Sequence, residues 1–367
     1  MITRIEIEGY KSIKSLKLEL QPINILLGSN GVGKSNFISI FSLIRHIFNE
    51  NLQNYVLQKG GADSLLHFGK KHTQTIRIKI QFINTNEQNI FTVDLNTRQN
   101  GLFIKEIKSS FKENDKWLPQ LLEENVLESK YAEMILISDF PDEQASFFKK
   151  QQLKFTVYHF HDTSDASPMK KSADVHDNER LKGDGSNLAA FLYYLKEKEP
   201  KHFKRIELTI QSIAPFFDRF DLKPTRLNEQ KIQLEWKEKG FPDNYFNAYH
   251  LSDGTLRFIC LATLLMQPNP PKTIVIDEPE LGLHPVAINK LAALIRKAST
   301  KAQIILSTQS INLIDNFEPE DIIVTDRENH ESVFRRLKSE DLKAWLEEFT
   351  LGDLWGKNKF GAQPYSI

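Results

Sequence analysis

The chain has 367 residues, 40% hydrophobic and 26% charged, an ordinary globular composition sized for roughly two domains. Lys plus Arg and Asp plus Glu both total 48, so the balanced charge excludes a strongly basic footprint over the whole protein and leaves room for a local basic stripe. The single cysteine, Cys260, excludes an intramolecular disulfide and a cysteine-cluster metal site, which suits a reducing compartment. The first residues lack the apolar stretch of a signal peptide, and no run has the length of a membrane helix. The expectation is a cytoplasmic protein without a membrane partner.

In chain order, residues 2–7 alternate as a strand, and Leu16, Leu18 and Leu20 alternate with Lys17 and Glu19 as another. The continuous apolar run at 23–27 suits a central strand buried on both faces. It ends at Gly28. From Ser35 to about Asn49, Phe37, Ile40, Phe41, Ile44 and Phe48 share one helical face. Residues 74–82 and 89–95 read as antiparallel strands, and 111–150 as charged and mostly helical or irregular. A strand at 153–160 precedes a polar loop over 161–186. Helices follow at 187–197, stopped by Pro200, and at 202–217, then a strand at 231–237. The last third alternates: helix 256–266, strand 273–276, helix 286–298 introduced by Pro285, strand 303–306, short helix 311–314, strand 321–325. This is the parallel α/β signature, and these strands must join strand 23–27 in one sheet, with the middle of the chain inserted.

Gly28-Ser29-Asn30-Gly31-Val32-Gly33-Lys34-Ser35 has the full G-x-x-x-x-G-K-S spacing between an apolar strand and an amphipathic helix. The glycines let backbone N–H groups converge on an oxyanion, and the helix start adds its dipole. Lys34 reaches for the β- and γ-phosphates and Ser35 for Mg²⁺. Ile274-Val275-Ile276-Asp277-Glu278 delivers two carboxylates from a strand end, Asp277 for Mg²⁺ and Glu278 as general base toward water. Ser252 and Gly254, in Leu251-Ser252-Asp253-Gly254-Thr255, either form a second anion-binding turn or simply cap the next helix. Ser307-Thr308-Gln309-Ser310 has the same two readings, a sensor of the γ-phosphate or a cap. His284 before Pro285 reads as helix initiation or a subunit contact. His159, His161, Asp162 and His176 read as a solvated loop rather than a metal site.

In this order the motifs resemble the ABC-type ATPase heads of the SMC and recombination-repair class, and most of all the compact AAA-type ATPases grouped with the overcoming-lysogenization-defect proteins. Tyr10-Lys11-Ser12-Ile13 resembles the opening strands, and Lys34-Ser35-Asn36 ends the phosphate loop. Leu251 to Arg257 resembles the ABC signature, Asp277-Glu278-Pro279-Glu280 with Leu283-His284-Pro285 the Walker B and D-loop, and Ser307 to Ser310 the switch. The resemblance implies an α/β P-loop NTPase of ABC-head type, with a mixed sheet core, an antiparallel β subdomain and an inserted helical or irregular lid. The implied division is residues 1–110 and 241–335 for the head, 111–240 for the lid and 336–367 for an apolar tail that packs on the core or meets a partner.

The resemblance also implies ATP and Mg²⁺, a head-to-tail homodimer or higher oligomer in which Ser252 of one protomer meets the γ-phosphate held by Lys34 of the other, and a separate nuclease or toxin effector. Such heads act in anti-phage defence or DNA repair, with DNA or RNA as a further partner. Two departures stand out. Asp253 replaces a common glycine. Gln309 replaces a histidine, and an amide cannot carry a proton at neutral pH, so turnover is expected to be slow or partner-activated. Gln53 and Gln58 are both candidates for the Q-loop glutamine. The alternatives are a scaffold in which ATP is structural, and a transport ATPase subunit.

Overall fold

The computed structural model describes residues 1–49, 51–84, 87–98, 100–113, 116–121 and 155–363. The chain opens with a hairpin, β1 (Ile2–Tyr10) and β2 (Ile13–Glu19), then β3 (Ile23–Leu27) and helix α1 (Lys34–Phe48). After α2 (Leu52–Gln58) come β4 (Thr75–Asn84), β5 (Glu87–Arg98), β6 (Gly101–Glu113) and β7 (Lys116–Leu121). These build an antiparallel sheet of order β2-β1-β4-β5-β6-β7 among the described residues. Then come β8 (Phe155–Tyr158), β9 (Ala173–Asp174), α3 (Leu188–Lys198), α4 (Pro200–Gln211), β10 (Phe217–Phe220), β11 (Pro224–Thr225), β12 (Asn228–Ile232), β13 (Glu235–Glu238) and β14 (Phe241–Asn247). The last third runs α5 (Asp253–Met266), β15 (Thr273–Ile276), α6 (Pro285–Ala298), β16 (Gln303–Thr308), α7 (Ile311–Ile314), β17 (Ile322–Glu328), β18 (Glu331–Arg336), α8 (Ser339–Leu346) and α9 (Leu351–Gly356).

The second large sheet has the order β18-β17-β3-β16-β15-β8. It is parallel from β8 to β17 and antiparallel only at β18, so it is mixed as expected. β3 lies between β16 and β17, so the last third does rejoin the opening strands in one sheet. Its apolar run is explained by its position. Ile23, Ile25 and Leu27 face one core with Ile274, Ile304, Leu306 and Val324, and Leu26 faces the other with Val275, Ile305 and Ile323. Period-two alternation thus feeds two cores from one strand.

α1 fills the space between the two large sheets. Phe41 meets Phe155 of β8 at 6.0 Å, Phe37 meets Phe334 of β18 at 5.6 Å, and Phe48 meets Phe91 of β5 at 5.0 Å. The helix that begins with Lys34 is therefore fixed from both sides. On the opposite face of the mixed sheet, α5 and α6 share a core with α3 and α4.

Several sequence expectations need correction. Residues 111–113 and 116–121 are strand, because β6 and β7 extend the antiparallel sheet past residue 110. The rest of the segment expected to be helical or irregular, 122–150, lies outside the described residues. Pro200 does not merely end a helix. It occupies the first turn of α4, where a proline lacks only a hydrogen bond that the helix does not use, and α4 ends at Gln211. The expected strand at 231–237 is broken between Ile232 and Glu235 because β12 and β13 belong to different sheets. The tail packs on the core through Leu342, Leu351, Leu354, Trp355 and Phe360, while Trp345 stays exposed.

Candidate nucleotide site

Three neighbouring parallel strands, β3, β16 and β15, end at one edge of the mixed sheet, the place where α/β sheets bind ligands. β3 supplies the loop from Gly28 to Ser35, β15 supplies Asp277 and Glu278, and β16 runs into Gln309. The register pairs Leu27 with Thr308 and Ile276 with Leu306, so the three strand ends lie level.

Lys34 opens α1 and is only 4% exposed. Its Nζ donates to the carbonyls of Gly28 at 2.6 Å and Ser29 at 2.9 Å. Burial holds the ammonium below its ordinary pKa, opposed by the charges of Glu278, Asp277 and Glu280. Gly33 caps the helix at φ 114°, and a Cβ there would lie 2.0 Å from the Ser332 hydroxyl. Only glycine fits both constraints. Ser332 bonds the Val32 carbonyl at 2.6 Å and Ser12 at 2.7 Å, and Asn36 donates to Ser12 at 2.6 Å. The loop is thus clamped from β18 and from the β1–β2 turn. Sequence reasoning missed Ser332, which follows the Asn329-His330 hairpin turn, where both residues have positive φ. The Ser29 N–H donates to the Ala362 carbonyl at 3.0 Å, so the tail also touches the loop.

Ser35 is exposed in the first turn of α1 and lines a cavity of about 410 Å³ with Asp277, Lys11, Gln58 and His159. The cavity separates the two candidate glutamines. Gln58 lines it, whereas the Gln53 amide donates to the Leu102 carbonyl of the antiparallel sheet. Asp277 accepts from the Ser307 hydroxyl, and Glu278 sits at φ 40° with its N–H toward the Ser307 carbonyl and hydroxyl at 3.2 and 3.1 Å. Gln309 Nε2 donates to Glu278 Oε1 at 3.0 Å. The residues fit a nucleotide with its divalent cation: a glycine-shaped cradle, a lysine bound among the described residues by its own loop's carbonyls, and a hydroxyl and a carboxylate on one cavity wall. Ser35 and Asp277 would hold the cation.

The buried Glu280 is the acid that sequence reasoning left without a role. Its Oε1 accepts from the Thr308 hydroxyl and, at 3.2 Å, from the Gln309 N–H, while Oε2 has no partner among the described residues. Burial raises its pKa from the ordinary 4.5, with Glu278 adding to the rise. A raised native pKa gives stability that is present below the unfolded value and lost as pH rises. Glu280→Gln mimics the protonated acid. The stability of the variant relative to the native protein should therefore grow as pH rises above the ordinary 4.5, measured as urea midpoints. A difference that stays flat with pH sinks this reading.

Ser252 is the N-cap of α5, and its Oγ accepts from the Thr255 N–H at 3.2 Å. The capping role is present, and the exposed hydroxyl leaves the second role open. Asp253 points outward, 3.9 Å from Lys170. A Cβ on Gly254 would lie 2.5 Å from the Gly282 carbonyl, so the signature turn rests directly on the turn after Glu280. Arg257 ties this contact down, donating to the carbonyls of Phe160 at 2.8 Å, His161 at 3.1 Å and Leu281. His284 caps α6 through its ring, accepting from Val286 N–H at 3.3 Å. Among the described residues no group of three or more metal-ligating side chains occurs, and Asp162 instead bonds Ser164.

The family model described as "AAA domain, putative AbiEii toxin, Type IV TA system" matches residues 23–315. The chain belongs to this family. It is similar to the structural maintenance of chromosomes protein 3 of Arabidopsis thaliana, 34% identical over 96 residues that make up 25% of this chain and 8% of that protein. It is also similar to ABC transporter A family member 11 of Dictyostelium discoideum, 30% identical over 111 residues, 29% of this chain and 13% of that one. The chain thus spans well under a fifth of either relative's length. Among solved structures, the SMC head bound to the C-terminal winged-helix domain of ScpA matches at a TM-score of 0.58 and 17% identity, over 94% of this chain and 99% of that one. The fold is that of an SMC-type ATPase head, and the family makes the protein an ATP-binding AAA module. Among the described residues no helix is long and apolar enough to cross a membrane.

Proposed function

We propose that the protein hydrolyses ATP as a head-to-tail pair and controls a separate nuclease or toxin subunit that acts on nucleic acid, in defence against phage or in DNA repair. The observation that carries the catalytic half is Glu278, held by Ser307 and Gln309 at the end of β16, the strand beside β3, which leads into the loop of Lys34. Lys34 exchanges the carbonyls of Gly28 and Ser29 for phosphate oxygens of ATP. The N–H groups of Gly31, Gly33 and Lys34 take up the remaining charge. Glu278 accepts a proton from the attacking water, and Gln309 fixes the direction of its carboxylate. The divalent cation supplies charge neutralisation along the β- and γ-phosphates. Asn30, exposed beside the loop, and Ser252 with Gly254 at the start of α5 are the surfaces through which two heads would complete each other's site.

The solved SMC head carries a separate subunit, and an arrangement of that kind is the reading here for the effector. The test is sedimentation with a nonhydrolysable ATP analogue. The native protein should shift from monomer to dimer or a larger even assembly. Ser252→Arg should stay monomeric while its affinity for the analogue changes less than about threefold, because the residue lies outside its own phosphate loop. Persistent monomers of the native protein, together with full turnover, would overturn the paired mechanism.

A further inference from the structure

A second cavity, about 380 Å³, shares His159 with the cavity that Ser35 lines. Its lining includes Arg45, Arg180 and Lys182, with Asp184 as the acidic residue. Lys182 is neutralised by Asp177. Arg45, in the last turn of α1, and Arg180, on the loop before α3, make no ion pair or side-chain hydrogen bond among the described residues. Two guanidinium groups without a partner among the described residues therefore line this cleft with one carboxylate, and Asp184 is itself engaged by the Ser186 N–H at 3.0 Å.

The loop that carries these cations is built rather than loose. Asn187 is fully buried, and its amide donates to the carbonyls of Asp177 and Arg180, both at 2.8 Å. Its Oδ1 accepts from the Lys182 N–H at 2.9 Å. The same loop is pinned to β8, where the His159 N–H donates to the Gly183 carbonyl at 2.8 Å. A buried amide with its bonds satisfied holds the backbone of Arg180 at the cleft that Arg45 also lines, before any ligand arrives. Guanidinium groups carried on a fixed backbone suit phosphoryl oxygens, which take their planar, forked donors.

We infer that this cleft binds a phosphoryl group other than that of the hydrolysed ATP, carried by a nucleic-acid strand or by a free nucleotide, and that His159 passes its occupancy to Asp277. His159 lines both cavities. It follows Tyr158, whose carbonyl receives the Asp277 N–H at 3.4 Å, and its ring is 6.1 Å from that of His161, whose Nε2 lies 2.7 Å from the Asp277 carbonyl. A phosphate drawn to Arg45 and Arg180 would meet a residue that also lines the cation site. The binding half stands on its own; the coupling half rests on the ATPase proposed above.

The test uses the full chain saturated with a nonhydrolysable ATP analogue, so that the phosphate loop is already filled. A fluorescent single-stranded oligonucleotide is titrated by anisotropy, and AMP by calorimetry. At least one should bind, and Arg180→Ala should weaken it about tenfold, with about one unit less dependence on log salt in the oligonucleotide arm. Arg180 is exposed, so its variant leaves the core intact; Arg45→Ala should act in the same direction. Asn187→Ala, which keeps every cation but frees the loop, should also weaken binding, with a melting curve to show that the fold survives. Oligonucleotide binding identifies a strand as the source, and AMP binding alone identifies a free nucleotide. If neither binds, or Arg180→Ala binds as the native protein does, the site is refuted. For the coupling, saturating ligand should change ATP turnover severalfold in the native protein and leave it unchanged in His159→Ala. Ligand binding without any effect on native turnover overturns the coupling and leaves the site standing.

Discussion

Glu278→Gln should lower ATP turnover by about 10² to 10⁴, the usual contribution of a positioned general base, while ATP affinity changes little. The substitution keeps the shape of the side chain and an oxygen for Gln309 to bond at the 3.0 Å separation seen in the native protein. What it removes is the ability to accept a proton. The backbone at residue 278 sits in the left-handed region and is held there by Ser307, so the amide should occupy the place of the acid. With chemistry blocked and binding intact, ATP should then hold the heads together, and the dimer should persist for longer than in the native protein. Gln309→Ala should cost less. If Gln309 works only by aiming Glu278, the double variant Glu278→Gln, Gln309→Ala should be no slower than Glu278→Gln alone. Turnover that survives in Glu278→Gln would refute the assignment of the base, and an additive double variant would give Gln309 its own role at the phosphate.

The parts of this site that could be read from sequence are those written in consecutive residues. The phosphate loop was legible because glycines at fixed spacing, an apolar strand and an amphipathic helix each carry a separate physical signal. β15 was legible for the same reason, with four apolar residues and then Asp277 and Glu278. The clamps around these motifs were not, because they join residues far apart in the chain. Ser332 fixes Gly33 across 300 positions through the Val32 carbonyl, and nothing in the local pattern of β18 marks a serine for that task. β6 and β7 were missed because Lys105-Glu106 breaks the alternation in β6 and Pro119 falls inside β7. They hold together by pairing along one edge of the antiparallel sheet. Ser252 shows a further limit. Capping a helix and receiving a phosphate ask for the same hydroxyl at the same helix end, and only the cap is visible within one head. In the tail, apolar content left packing on the core and contact with a partner equally open, and that the chain would return to place the Ala362 carbonyl on the Ser29 N–H could not be read from it.

Arg257→Ala should destabilise the protein by about 2–4 kcal/mol, a large effect for one side chain outside the phosphate loop. Arg257 is 5% exposed, and its guanidinium has carbonyls as hydrogen-bond partners: Phe160 and His161 after β8, and Leu281 after the acidic strand end. Burial alone holds its pKa below the ordinary arginine value, with Asp253 acting against the shift. Truncation strands the carbonyls in a space that water enters poorly, and removal of the desolvated charge offsets part of that loss. Lysine cannot replace it, since one ammonium cannot reach three carbonyls spread over two segments, so Arg257→Lys should recover less than half of the lost stability. The same geometry separates a functional loss from a structural one. Arg257 is the bridge between the helix that starts at Ser252 and the turn that follows Glu278, and Gly254 meets the Gly282 carbonyl directly beside it. If paired heads read each other's nucleotide through these two turns, Arg257→Ala should weaken ATP-driven dimerisation even at temperatures well below its unfolding midpoint, while a single head still binds ATP. Urea midpoints and sedimentation, measured on the same preparation, separate the two effects. A variant that unfolds early but dimerises normally when folded would make Arg257 a structural strut alone and would remove the turn-to-turn bridge from the mechanism.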